Sequence, residues 1–167
     1  MNSEGTDNTK MLRLVALISA AIFNFVGMIL VFTTDFSGWW AGGSGNYYYW
    51  IGSEMAPVWL QLFLVLLGLI FLFSLAYSIV LIIVVLGKIN LPINFKIQGI
   101  VGIIIAGIIF LFTILILIIF AIFASDAYEW WLATSFYSSI VGSIILAIFY
   151  IFYLLLASRE ETGVPAK

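Results

Sequence analysis

Five side chains in this sequence have the chemistry and placement to bind or react: the carboxylates Asp35, Glu54, Asp126 and Glu129, and the amide of Asn24. Clustered carboxylates can chelate a hard cation. An amide inside an apolar stretch can contact a ligand or bond a neighbouring helix. We read the four acids as solvated carboxylates rather than a cation site. We read Asn24 as a structural hydrogen-bonder, because no charged residue accompanies it in its stretch. The chain has no His and no Cys. That excludes disulfides, thiolate metal sites, iron–sulfur clusters and a cysteine nucleophile, and it removes the usual zinc and haem ligand and the commonest general base. The Gly42–Gly45 run (Gly-Gly-Ser-Gly) has no following Lys and no strand-to-helix setting, so it is not a phosphate loop. The expectation is a non-enzymatic chain without cofactor or metal, and without a nucleic-acid partner.

The aromatic residues carry more information. All six Trp (Trp39, Trp40, Trp50, Trp59, Trp130 and Trp131) lie in or beside two polar stretches, with Tyr47, Tyr48, Tyr49 and Tyr128. An interfacial aromatic belt explains rings at headgroup level, but a belt occupies both membrane faces. The opposite side has only Tyr150 and Tyr153 near it. We therefore expect Trp39, Trp40, Tyr47, Tyr48, Tyr49, Trp50, Trp130 and Trp131 to form a packed cap or a partner contact as well as a belt.

These residues are positioned by what surrounds them. Of 167 residues, 65% are hydrophobic and 8% charged, against about 45–50% and about 25% in soluble domains. Four uncharged stretches, Leu14–Thr33, Pro57–Gly87, Ile97–Ala124 and Trp131–Ala157, are each long enough to cross a bilayer, which takes about 20 apolar residues. Lipid cannot satisfy backbone polar groups, so each stretch should be a helix. The fold class is an all-α integral membrane protein: one domain over 1–167, a bundle of four transmembrane helices. The stretches 34–56 and 125–130 are its outer loops.

Every basic residue falls on one side of this arrangement: Lys10, Arg13, Lys88, Lys96, Arg159 and Lys167. The other side holds Asp35, Glu54, Asp126 and Glu129 and no cation. The positive-inside rule puts both termini and the middle loop in the cytoplasm, in a multi-pass protein expected at the plasma membrane. The first stretch is long for a signal peptide and lacks a small-residue cleavage site near Thr33, so it is read as a retained helix. The tails Met1–Thr9 and Ser158–Lys167 are polar and expected to be mobile. In the first outer loop, Gly42, Gly43, Gly45 and Asn46 are turn residues between aromatic arms. They predict a hairpin of Phe36–Ala41 and Tyr47–Ile51 resting on the helix ends or the second outer loop.

Small residues mark the packing faces. Ala16, Ala20 and Gly27 share a face with Asn24, whose amide is expected to bond another helix. Gly99 and Gly102 open the third span. Ser135, Ser139 and Ser143 recur every four residues in the fourth, beside Gly142. Stripes without bulky side chains let helix backbones approach closely.

The segments Lys96–Gly102 (Lys-Ile-Gln-Gly-Ile-Val-Gly), Ile103–Phe110 (Ile-Ile-Ile-Ala-Gly-Ile-Ile-Phe) and Thr134–Gly142 (Thr-Ser-Phe-Tyr-Ser-Ser-Ile-Val-Gly) resemble the claudin and peripheral-myelin-protein superfamily of tetraspan proteins. Trp39 or Trp40 followed by Trp50 is similar to the paired tryptophans of that family's first loop. The pattern departs in two places. Trp50 is followed by Ile51 and Gly52 with no Cys pair, and the loop is shorter than the family's. The resemblance implies a left-handed four-helix bundle with a small β cap, acting through lateral or cell–cell contacts. Its partners would be membrane lipids and either further copies of itself or other membrane proteins. Two alternatives stand beside it. One is an accessory subunit of a larger respiratory or transport complex, docking through its Gly and Ser faces. The other is a channel or carrier lined by Asn24 and the Ser stripe.

Overall fold

The computed structural model describes residues 3–40, 45–54, 56–127 and 129–162, with side chains described within 8–158. Four helices run in alternating directions: α1 (Ser3–Thr33), α2 (Val58–Val85), α3 (Phe95–Phe123) and α4 (Thr134–Thr162). Each is long and apolar enough to cross a membrane, as a multi-pass membrane protein requires. Three short strands, β1 (Ser37–Trp40), β2 (Asn46–Tyr49) and β3 (Glu129–Leu132), form one antiparallel sheet in the order β2-β1-β3.

The helices are bounded by local chemistry. Pro57, which lacks an N–H to lose, stands at the N-cap of α2. The end of α2 closes on Gly87, whose φ of 75° few other residues adopt, while Gly87 N–H bonds Val84 O and Lys88 N–H bonds Ile83 O. Asn94 caps α3, its side chain accepting from Lys96 N–H at 2.8 Å.

Three expectations change here. α1 extends back through most of the polar tail to Ser3, because adding a residue to an existing helix gains a hydrogen bond without a new nucleus. α4 runs on to Thr162 in the same way, and residues 163–167 lie outside the described residues. Trp131, expected as the first residue of span four, belongs instead to β3, and α4 starts at Thr134. The hairpin arms are shorter than expected, Ser37–Trp40 and Asn46–Tyr49; most of the tip lies outside the described residues, but Gly45 has a φ of 95°. Nor does the hairpin stand alone. β1 is the central strand, and β3 from the second outer loop completes the sheet.

Around the bundle α1 packs along α2 and α4, and α3 packs along α4, while α2 and α3 touch least. The close seams are built from glycine facing an aromatic ring. A Cβ at Gly27 of α1 would lie 2.6 Å from the Phe71 ring of α2, and one at Gly68 of α2 would lie 2.4 Å from the Phe32 ring of α1. Between α3 and α4, Gly102 receives the Tyr150 ring and Gly99 the side chain of Leu154. In lipid, where apolar surfaces gain little by leaving the solvent, such close packing is what holds helices together.

Candidate functional site

The sheet has two faces with different fates. Directly paired residues share a face, so Trp39, Tyr47 and Trp130 form one row and Gly38, Tyr48 and Trp131 the next, on the opposite side. The first row lies against the bundle. Trp39 is buried and meets Phe123 edge-on at 5.5 Å and Phe120 at 6.0 Å, and Trp130 meets Phe120 at 5.9 Å. One position along, on the same face, Tyr49 is fully buried and stacks on Phe120 with ring centroids 5.6 Å apart and planes 5° apart. Its hydroxyl donates to Leu60 O of α2, and burial pushes its pKa above the ordinary tyrosine value.

The second row faces away from the bundle. Tyr48 and Trp131 meet edge-to-face at 6.1 Å across Gly38, where an added Cβ would sit 2.5 Å from the Trp131 ring. Tyr48 is 44% exposed, and Trp40 on the same face is 39% exposed. Trp50, just past β2, is exposed as well.

The sheet is pinned to the helices rather than balanced on them. Phe36 lengthens both ladders, its N–H donating to Tyr49 O and its carbonyl accepting from Ala133 N–H, both at 2.9 Å. Ser135 N–H, in the first turn of α4, donates to Asp35 O. The segment between β2 and α2 is held by Gln61. Its Nε2 donates to Ser53 O and Ala56 O, and its Oε1 accepts from Gly52 N–H, all within 2.8 Å. Ser53 Oγ in turn donates to Tyr48 O. Burial at this junction raises the Asp35 carboxyl above its ordinary value of 3.8. Among the described residues no group of three acids comes together to hold a metal ion.

Beneath the cap, polar residues pair across helices. Asn24 Nδ2 of α1 donates to Ser78 Oγ of α2 at 3.2 Å, and Ser78 Oγ lies 2.8 Å from Tyr150 Oη of α4, so three helices meet at one hydroxyl. Nearer the α2–α3 loop, Tyr153 Oη donates to Gln98 Oε1, Gln98 Nε2 donates to Ile93 O, and Tyr77 Oη donates to Gln98 O. Ser139 and Ser143 are buried but bond carbonyls of their own helix, those of Ser135 and Ile140. With Ser135 and Gly142 they serve as small packing residues; the nearest atom to an added Cβ at Gly142 would be Phe71 Cε1 at 3.9 Å.

The expected cap residues therefore gather at one end of the molecule but divide into an inner group (Trp39, Tyr47, Tyr49, Trp130) and an outer group (Trp40, Tyr48, Trp131), with Trp50 at the margin. Sequence reasoning missed Gln61, Gly38 and Phe120. The period-2 alternation of Ser37–Trp40 was the available signal for Gly38, and Gln61, one turn into an apolar helix, was the signal for the clamp. No family model, curated protein or solved structure matches this chain.

Proposed function

We propose that this chain is a non-enzymatic tetraspan membrane protein that works through protein contacts, lateral or cell–cell, made by the outer face of its sheet. The role is claudin-like in kind, and the protein sits in the plasma membrane with both termini cytoplasmic. The observation that carries the reading is the division of the sheet. Its inner aromatic row is fully used in seating it on α3. Its outer row holds Trp40, Tyr48 and Trp131 on a backbone pinned at Phe36, Ser135 and Gln61. Rigid, half-exposed aromatic side chains with a polar tip suit an interface, because little conformational freedom is lost when they are covered.

The test is native mass measurement of the full-length protein after gentle extraction, beside a Trp40→Ser/Tyr48→Ser double variant. Wild type is expected as a defined self-assembly, and the double variant should dissociate at roughly tenfold lower concentration of competing detergent, reflecting interface anchors worth about 1–2 kcal/mol. A monomeric wild type, or assembly unchanged in the variant, overturns the reading and leaves those rings to the lipid interface. A complex with other chains in fixed ratio and no self-assembly overturns it in favour of an accessory subunit.

A further inference from the structure

The four seams of the bundle are unequal, and the loosest, between α2 and α3, carries two clefts at different depths. The first lies midway along the helices. Leu66, Leu69 and Phe73 of α2 and Ile105, Ile108 and Phe112 of α3 line about 360 Å³. The second lies at the α2–α3 loop, where Asn90, Asn94 and Gln98, with apolar neighbours, line about 450 Å³. On α2, Phe73 of the first cleft and Val84 of the second are 11 residues apart, about 16 Å at 1.5 Å per residue. That is about half the thickness of a bilayer's hydrocarbon core, the distance from headgroup level to midplane.

Charge and shape both point to an occupant. Between Glu54 and Asp126 the chain has no acid, and its only charges there are Lys88 and Lys96, at either end of the loop that forms the polar cleft. The Arg13 guanidinium lies 4.7 Å over the ring of Phe95, which lines that cleft. The deeper cleft offers only Leu, Ile and Phe, without the small-residue stripe or polar group that would let another helix dock closely. A flexible hydrocarbon chain has no such requirement.

We propose that the α2–α3 seam is a binding site for one phospholipid with an anionic headgroup, from the leaflet on the α2–α3 loop side. The phosphate lies in the loop cleft between Lys88 and Lys96, and an acyl chain runs along the seam to the cleft at Phe73. The site is separate from the sheet surface and does not depend on its role.

The experiment is native mass spectrometry of the full-length protein in detergent, titrated with palmitoyl-oleoyl phosphatidylserine or the matching phosphatidylcholine. Wild type should retain one phosphatidylserine with a roughly tenfold preference over phosphatidylcholine, as two lysines near an anionic headgroup would give. Lys88→Gln/Lys96→Gln should abolish the preference. Lys10→Gln, on the same side of the membrane but on α1, should preserve it. Leu69→Trp, filling the deep cleft, should reduce retention of both lipids, and dihexanoyl phosphatidylserine, too short to reach that cleft, should not displace the bound lipid. Equal retention of the two lipids by wild type overturns the proposal, as does a preference that survives in the double lysine variant or is lost equally in Lys10→Gln. Displacement by the short-chain lipid, or undiminished retention by a Leu69→Trp variant, overturns the acyl path. A Leu69→Trp protein with a lowered thermal midpoint is replaced by Ile108→Phe, read the same way.

Discussion

A glycine in a membrane helix is informative only through what lies opposite it. Gly102 and Gly107 are five residues apart on α3, yet a Cβ at Gly102 would collide with the Tyr150 ring at 2.3 Å and one at Gly107 would meet nothing within 4 Å. Gly102→Ala should therefore lower the thermal midpoint in detergent. Gly107→Ala should leave it unchanged or raise it, helix propensity alone favouring Ala by about 1 kcal/mol. Equal effects would mean that the α3–α4 seam is not the close one.

Asn24 behaves similarly. Replacing it with Leu removes its bond to Ser78 and should cost about 0.6 kcal/mol, the ordinary value for an interhelical bond in a membrane. A larger loss is not expected, because its Oδ1 has no partner among the described residues and its removal relieves that burial. Reversible unfolding in mixed micelles measures this.

At Asp35 the sign follows from burial. The folded state holds the proton more tightly than the unfolded chain, whose value is near 3.8, so the carboxyl costs no stability below that pH and costs increasingly as pH rises through its folded value. Asp35→Asn should raise the thermal midpoint at pH 7, and the difference should vanish below pH 3.8. An unchanged difference across that range would show that burial does not act on the charge. At this scale the Gly and Ser stripes were legible from spacing, since a stripe belongs to one helix. Gly68 was not, because its significance comes from Phe32 on another helix.

Among the elements, the helices were readable and the sheet only in part. Twenty apolar residues in a bilayer have one backbone solution, so α2 and α3 fell within two residues of their expected ends. The segment Trp130–Leu132 has the same apolar composition as a helix start, and nothing local distinguishes the two uses. What decides is β1, whose second edge would otherwise carry unpaired backbone groups. That edge exists only once the hairpin is seated, so the information is not in the segment. The sheet therefore depends on Gly38, the point where the Trp131 ring crosses the central strand. Gly38→Val should displace β3, lowering the near-ultraviolet circular dichroism of the tryptophans and the thermal midpoint together. A Val variant with unchanged tryptophan signal would show that the crossing does not hold β3.

For the whole molecule, the absence of cysteine, which first served to exclude chemistry, provides a clean background for topology. Asn46→Cys on β2 should react with an impermeant maleimide in intact cells, and Ile89→Cys in the α2–α3 loop only after permeabilisation. The reverse pattern would invert the proposed orientation. Sidedness was legible because charges cannot cross the bilayer and so sort by loop. What meets the outer surface was not legible, since half-exposed aromatics suit both lipid and protein.

The strand order has a consequence in time. β1 and β2 are made with the first pair of helices, but β3 begins 92 residues after the start of β1. At ordinary rates of synthesis of about 5–20 residues per second, the hairpin waits roughly 5–18 s for its third strand and for Phe120, the ring on which Tyr49 and Trp39 come to rest. During that interval a strip of tryptophan and tyrosine stands at the membrane surface with nothing beneath it. The nascent chain is most vulnerable then, and a chaperone or a neighbouring copy has its earliest opportunity to take hold.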